Sequence, residues 1–304
     1  MTTPRNVAAS VRQRLLNRAR NDQRPFNELL QYFAMERFLY RLSQSAHADK
    51  SILKGALMLQ VWHSPEFRPT MDIDLLGRTS NMEDDLIAQV QDILAVTVEA
   101  DGLAFDPESI RTGRITEGAD YEGIRIRFPG ALGTARIHMQ LDVGFGDAVY
   151  PEPEEAVLPA MLDFQAPRLL CYSRESAIAE KLEAMVKLGI LNSRMKDFYD
   201  IWLLHRQFDF NGPELAQAIR LTFERRGTAL PLEPEAFTEP FADDKQTQWT
   251  AFRSRLQQAH VPASFADIAS SLGRFLSPVV AALFSGNPGP THWTAPGPWT
   301  FDPL

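Results

Sequence analysis

The sequence predicts an α/β (α+β) first half followed by a helical second half. Three observations predict it. Two runs near residues 121–143 alternate apolar and polar residues with a period of two, as half-buried strands do. Apolar residues at three- and four-residue steps mark helices before and after them. Beyond Pro151-Glu152-Pro153-Glu154-Glu155 the strand signals weaken while the helical ones continue. The boundary falls between about residues 155 and 170. It separates an α/β domain with N-terminal helices over 1–160 from a helical domain with an irregular tail over 161–304.

The elements follow in order. Val11, Leu15, Leu16 and Ala19 are spaced as an ordinary helix. Phe26 to Ser45 is a second helix, carrying Leu29, Leu30, Phe33, Phe38, Leu39 and Leu42. Ile52 to Trp62 is an apolar stretch interrupted by Gly55, and the two prolines of His63 to Pro69 require a loop. Met71 to Leu76 reads as a short buried strand. Asn81 is a candidate cap for a helix over Met82 to Val98. Tyr121 to Phe128 and Arg136 to Val143 form an antiparallel hairpin, with Pro129-Gly130-Ala131-Leu132-Gly133-Thr134 as its turn. Helices then cover Ser173 to Lys187, with Ser173 or Ser176 as cap, then Ser193 to His205, Glu214 to Glu224, Lys245 to Gln258 and Ser264 to Phe284. The Pro-, Gly- and Trp-rich stretch from Gly286 to Leu304 reads as an extended tail.

Composition narrows the function. A net charge of -8 on 304 residues excludes a generic basic nucleic-acid coat protein. The charge is uneven: residues 1–24 carry Arg5, Arg12, Arg14, Arg18, Arg20 and Arg24 against Asp22 alone, a local +5 that leaves -13 on the rest. Such a segment either touches phosphates or is a solvated helix face. A single cysteine, Cys171, excludes an intrachain disulfide and fits a cytoplasmic protein. No window reads as the roughly 20 apolar residues of a membrane span, and no signal-peptide core is visible.

The chemistry-bearing residues begin with Asp72 and Asp74. Two apart in a strand, both carboxylates point to one face, and parallel carboxylates repel unless a cation joins them. Mg2+ suits a hard oxygen site that leaves room for water and phosphate. Asp142 lies on the polar face of its own strand with Gln140 and His138. It is a third carboxylate for a phosphoryl-transfer metal site, a solvent-facing strand residue, or the start of a turn with Gly144 and Gly146. Upstream, Gly55 permits close backbone approach to phosphate or makes a simple turn, and Lys54 is a phosphate contact or a surface lysine.

A second cluster lies on the helices. Ile178, Leu182 and Met185 form the apolar face of one; Phe198, Ile201, Trp202 and Leu204 or His205 form that of the next. Arg194, Lys196, Asp197 and Asp200 crowd beside the latter. They pair along the helix as Arg194–Asp197 and Lys196–Asp200, or else Lys181 and Arg194 neutralise triphosphate charge while Asp197 orients Lys181 or a substrate hydroxyl.

Taken together, Leu53-Lys54-Gly55-Ala56-Leu57-Met58-Leu59, Arg68-Pro69-Thr70-Met71-Asp72-Ile73-Asp74-Leu75-Leu76, Glu180-Lys181-Leu182-Glu183-Ala184 and Arg194-Met195-Lys196-Asp197-Phe198-Tyr199-Asp200 resemble the AbiEii/AbiGii toxin family, which includes the mycobacterial MenT toxins. The resemblance spans roughly residues 26–285, and the order and spacing of the motifs carry it. It implies a nucleotidyltransferase core of the DNA polymerase β type with a helical C-terminal domain. It also implies Mg2+ or Mn2+, a nucleoside triphosphate substrate, and an RNA acceptor such as the tRNA 3′ end. A cognate antitoxin is an implied partner, and a membrane is not. Asp72 and Asp74 match the family's metal pair, Lys181 and Asp197 its two later catalytic positions, and Gly55 the first residue of its phosphate-binding element. Arg194 and Lys54 are assigned to the nucleotide phosphates, and Asp142 to the metal by the usual layout of the fold. Ala56 departs from the family, where a second Gly or Ser is common, and this bears on nucleotide affinity or choice. Arg5 to Arg24, Arg125 and Arg127 are the candidate RNA contacts. A metal-dependent nuclease and a degenerate, non-catalytic binding protein are the rival readings.

Overall fold

The computed structural model describes residues 6–66, 68–115 and 123–301. Arg5 of the basic segment and Tyr121 of the expected hairpin lie outside them. The chain divides into two compact units, Met1–Gly146 with Glu154–Cys171, and Asp147–Pro153 with Tyr172–Leu304.

The first unit is a mixed sheet with helices. Its elements are α1 (Val7–Asn21), α2 (Phe26–Ser43), β1 (Ser51–Lys54), α3 (Met58–Val61), β2 (Ile73–Gly77), α4 (Glu83–Ala95), β3 (Leu103–Phe105), β4 (Arg111–Ile115), β5 (Gly123–Leu132), β6 (Ala135–Phe145), β7 (Glu154–Val157) and β8 (Arg168–Cys171). The eight strands run in the order β3-β5-β6-β2-β1-β8-β7, with β4 also on β5. β2 is parallel to β6 and antiparallel to β1, while β1 is parallel to β8. This architecture is a mixed α/β fold consistent with the DNA polymerase β type.

Alternation along the long hairpin explains its two faces. Ile124, Ile126, Phe128, Ile137, Met139, Leu141 and Val143 are buried in one core with Phe33, Phe38 and Leu42 of α2. The polar residues between them take the opposite face. Helix α2 is buried from Leu29 to Leu42, so its polar side chains must find partners inside. Arg41 forks onto Asp101 at 2.7 and 3.2 Å, and Arg37 donates to the Gln165 carbonyl at 2.7 Å. Gln31 donates to the Met71 and His138 carbonyls at 3.2 and 3.0 Å, tying α2 to the approach of β2 and to β6.

Three expectations for this unit are corrected. The hairpin turn is Gly133-Thr134 alone, because β5 continues through Pro129 to Leu132. A proline fits there because β4 last pairs at Arg127 and β3 first pairs at Gly130, so no outer strand needs a donor from Pro129. Helix α4 starts at Glu83 with Met82 in the cap position, which carries no side-chain cap hydrogen bond; Asn81 is not the cap. Strands β7 and β8 extend the sheet where strand signals are weakest in the sequence.

The second unit contains α5 (Arg174–Leu188), α6 (Met195–Gln207), β9 (Phe210–Asn211), α7 (Gly212–Arg226), α8 (Glu239–Leu256), α9 (Phe265–Ser285), β10 (His292–Trp293) and β11 (Trp299–Thr300). Helix α9 packs against α6, α7 and α8. By length and composition α9 could cross a membrane, with a mean hydropathy of 1.4 over its most apolar window, against the expectation of no such stretch. One of its faces, including Phe265, Leu272, Phe275 and Val279, is fully buried in this unit. The expected extended tail is also corrected: β10 and β11 pair with each other, and β10 with β9. Trp293 donates to the His205 carbonyl at 2.6 Å and Trp299 to that of Phe275 at 2.7 Å, so both indoles are buried with their N–H satisfied.

Candidate active site

In the first unit the strand register builds the site. Lys54, Asp74, Asp142 and Arg125 are successive partners across β1, β2, β6 and β5. They form one row in which two carboxylates lie between two cations. Asp72 precedes the first ladder residue of β2 and joins the row from the approach loop. One carboxylate oxygen from each of Asp72, Asp74 and Asp142 lies within 4.8 Å of the others, and all three residues are half-buried. Three hard oxygen donors so placed suit a divalent cation such as Mg2+.

Neighbours fix these carboxylates. The Thr70 hydroxyl donates to Asp72 Oδ1. Arg125 forks onto Asp142, Nε to Oδ1 at 2.8 Å and Nη2 to Oδ2 at 2.6 Å. Asp142 therefore meets any cation with its own charge already shared by a guanidinium. Arg125, a candidate RNA contact in the sequence, is instead the partner of the third carboxylate. Thr70 and this pairing were missed from sequence; the register of the hairpin is the signal that finds the latter.

Gly55 begins the turn between β1 and α3 with φ +73°. A Cβ at Gly55 would lie 1.9 Å from Asp74 Oδ2. Glycine is required by the left-handed backbone and by the carboxylate that fills the side-chain space. Ala56 is buried, so its methyl group belongs to the core.

In the second unit Ser173 caps α5, accepting from the Ser176 N–H at 3.0 Å. Further along α5, Lys181 Nζ lies 2.9 Å from Asp197 Oδ1 and 2.9 Å from Asp200 Oδ2, both on α6. Arg194 Nε lies 2.9 Å from Asp197 Oδ2. Burial would raise the Asp197 carboxyl, but Lys181 and Arg194 override it and hold Asp197 below the usual carboxylate range. The expected Lys196–Asp200 pair does not form; Asp200 serves Lys181. Between two carboxylates, Lys181 is fixed in place. The structure thus gathers Asp72, Asp74, Asp142 and Gly55 in one unit, and Lys181, Asp197 and Arg194 in the other.

Comparison with known proteins gives the family. The profile described as nucleotidyl transferase AbiEii toxin, type IV TA system, matches residues 37–271. No curated protein matches the chain by sequence. Two crystal structures from Helicobacter pylori resemble the fold. One, provisionally called a nucleotidyltransferase, has a TM-score of 0.48 at 15% identity and covers 85% of this chain and 97% of its own. The other, JHP933, has a TM-score of 0.48 at 14% identity, with 85% and 94% covered. The assignment rests on the profile, which spans most of both units: the chain belongs to the AbiEii nucleotidyl transferase toxin family.

Proposed function

We propose that the protein transfers a nucleoside monophosphate from a nucleoside triphosphate to the 3′ end of an RNA, tRNA foremost, and so blocks translation as the toxin of a toxin–antitoxin pair. The observation that carries this reading is the convergence of Asp72, Asp74 and Asp142 beside Gly55, in a chain of this family. Mg2+ or Mn2+ bound to these carboxylates supplies positive charge for the phosphates and acidifies the attacking hydroxyl.

The chain's own residues do the rest. Thr70 orients Asp72, and Arg125 orients Asp142. Gly55 keeps the backbone turn against Asp74, with Lys54 in the same row. Lys181, steadied by Asp197 and Asp200, takes the role of neutralising the departing phosphates, and Arg194 shares it. The RNA hydroxyl oxygen bonds to the α-phosphorus and gives up its proton to solvent, the bond from the α-phosphorus to the α–β bridging oxygen breaks, and pyrophosphate leaves in line with that oxygen.

The test is purified protein with Mg2+, each labelled triphosphate in turn, and total tRNA. The expected result is incorporation of label at the RNA 3′ end, abolished in Asp72→Ala and in Lys181→Ala. Full activity in either variant sinks the assignment. RNA that shortens without triphosphate would replace transfer with metal-dependent hydrolysis.

A further inference from the structure

Charge changes sign across one face of the sheet. The carboxylates stand on β2 and β6. Beyond them, Arg127 on β5 is the ladder partner of Gln140 on one side and of Arg111 on the other. Arg136 shares the polar face of β6 with His138, Gln140 and Asp142, by the period of two. Arg111, Arg127, Arg136, His138, Gln140 and Asp72 line a cavity of about 660 Å³ within the first unit. That exceeds the need of a lone phosphate and falls among pockets of roughly 300–1,000 Å³ that enclose a small ligand.

Four of the candidate RNA contacts are already matched by carboxylates. Arg14, Arg18 and Arg24 of the basic N-terminal segment are paired with Asp163, Asp22 and Glu28, and Arg125 with Asp142. Among the described residues Arg111, Arg127 and Arg136 are in no ion pair. Arg111 donates to its neighbour's carbonyl at 2.8 Å, and Arg127 Nε to the neutral Gln140 amide at 3.0 Å. All three are exposed. Three unmatched guanidiniums in a cleft of a chain with net charge -8 make a local anion site, and guanidinium suits the forked oxygens of a phosphodiester.

Position selects the anion. Gly55 lies on the β1 side of Asp74, whereas the arginines lie on the β6–β5 side. In-line displacement puts the attacking and leaving oxygens on opposite sides of the phosphorus. With the triphosphate on the Gly55 side, the attacking strand enters over the arginines. Resting on the transfer reading above, we infer that Arg111, Arg127 and Arg136 form the track that seats the phosphodiester backbone of the acceptor RNA's single-stranded 3′ end beside Asp72.

The test measures binding apart from transfer. A fluorescent single-stranded RNA ending in a free 3′ hydroxyl is titrated with the full chain, without nucleotide or metal, at several salt concentrations. Labelled ATP and GTP are titrated separately with Mg2+. In the triple variant Arg111→Gln, Arg127→Gln, Arg136→Gln, RNA affinity is expected to fall at least ~10-fold. The slope of log affinity against log salt is expected to shrink by about 2, near 0.7 for each phosphate left without its arginine. Triphosphate affinity and the melting temperature should stay those of the parent. Asp72→Asn should keep RNA affinity while losing transfer. Unchanged RNA affinity in the triple variant, no RNA binding by the parent, or a loss confined to triphosphate binding would each overturn the track. RNA binding through the arginines with no incorporation under any triphosphate would uphold the track and refute the transfer reading. If the triple variant binds RNA normally but no longer binds an acidic antitoxin-like protein, the face belongs to that protein and the track falls.

Discussion

At Gly55 the sequence shows only a glycine between an apolar strand and an apolar turn, and close approach to phosphate is the natural inference. The structure adds a prior demand, since the Asp74 carboxylate occupies the space of the missing Cβ. Gly55→Ala is therefore expected to displace Asp74 and to strain a residue held at φ +73°. The backbone cost is about 1–3 kcal/mol, read as a lower urea midpoint. The larger effect should be loss of nucleotide incorporation and weaker Mn2+ binding, followed by titration calorimetry. Wild-type Mn2+ affinity in this variant would show that Asp74 moves aside freely and that its closeness to Gly55 has no part in the site. The Asp72–Asp74 pair was legible from its spacing, although β2 begins at Ile73 and leaves Asp72, expected inside the strand, in the loop that leads to it. The partners of Asp142 were not. A turn drawn over residues 129–134 ends β5 four residues too early and sets Arg125 against His138. The true turn at Gly133-Thr134 sets Arg125 against Asp142. The same ambiguity left Asp200 beside Lys196, four residues away on its own helix, when its partner Lys181 is on another. Sequence spacing reports neighbours within an element and is silent on neighbours between elements.

Among the elements, α2 shows most directly how local pattern and tertiary burial diverge. Its apolar steps identify a helix, but they suggest one buried stripe, whereas every residue from Leu29 to Leu42 is buried. The excess burial is possible because Arg37 and Arg41 share Asp101, which also accepts the Leu103 N–H at 3.0 Å. Asp101→Ala leaves two guanidiniums inside with no carboxylate from residue 101. A loss of about 3–5 kcal/mol is expected, as for a buried pair broken on one side. Chemical denaturation of the variant checks this, and a loss below ~1 kcal/mol, the range of solvent-exposed pairs, would mean that water reaches the pair. Asp101 follows a helix in a stretch without periodicity, so nothing in the sequence marks it. Strands β7 and β8 escaped for a related reason. Each is four residues long and lies among prolines, so alternation has too little length to show. The tail from Gly286 was misread because proline and glycine suppress both periodicities. Its order comes from Trp293 and Trp299, which bury their rings and spend their N–H groups on helix carbonyls.

Over the whole molecule, the two units carry buried titratable groups whose effects on stability run in opposite directions with pH. In the first unit burial pushes the Glu36 carboxyl up to about 7, against the Met161 N–H and the Arg37 guanidinium, which favour its charged form. Glu36 Oε2 accepts the Met161 N–H at 2.6 Å, while Oε1 has no hydrogen-bond partner. The folded state thus binds the Glu36 proton more tightly than the unfolded chain. Its contribution is full below about pH 4.5 and is lost as pH rises to about 7. In the second unit burial, with Arg206 and Arg274 nearby, pushes His205 down to about 4. Its ring lies among Phe275 and Trp293, with Nε2 2.9 Å from Ser271 Oγ. That contribution is full above about pH 6.5 and is lost as pH falls toward 4. Each shift spans about 2.5 pH units, or roughly 3 kcal/mol at 1.36 kcal/mol per unit. Melting temperatures from pH 4.5 to 8 for the parent, Glu36→Gln and His205→Phe separate the two. Relative to the parent, Glu36→Gln should gain stability from pH 5 to about 7 and level off above it, because an amide replaces a carboxylate that must ionise in the core. His205→Phe should gain relative stability as pH falls from 6.5 to 4.5, because no imidazole remains to be charged. A Glu36→Gln difference that stays constant with pH would place that carboxylate in contact with solvent. A constant difference for His205→Phe would do the same for the imidazole, and the opposed pH responses of the two units would then have to come from other groups.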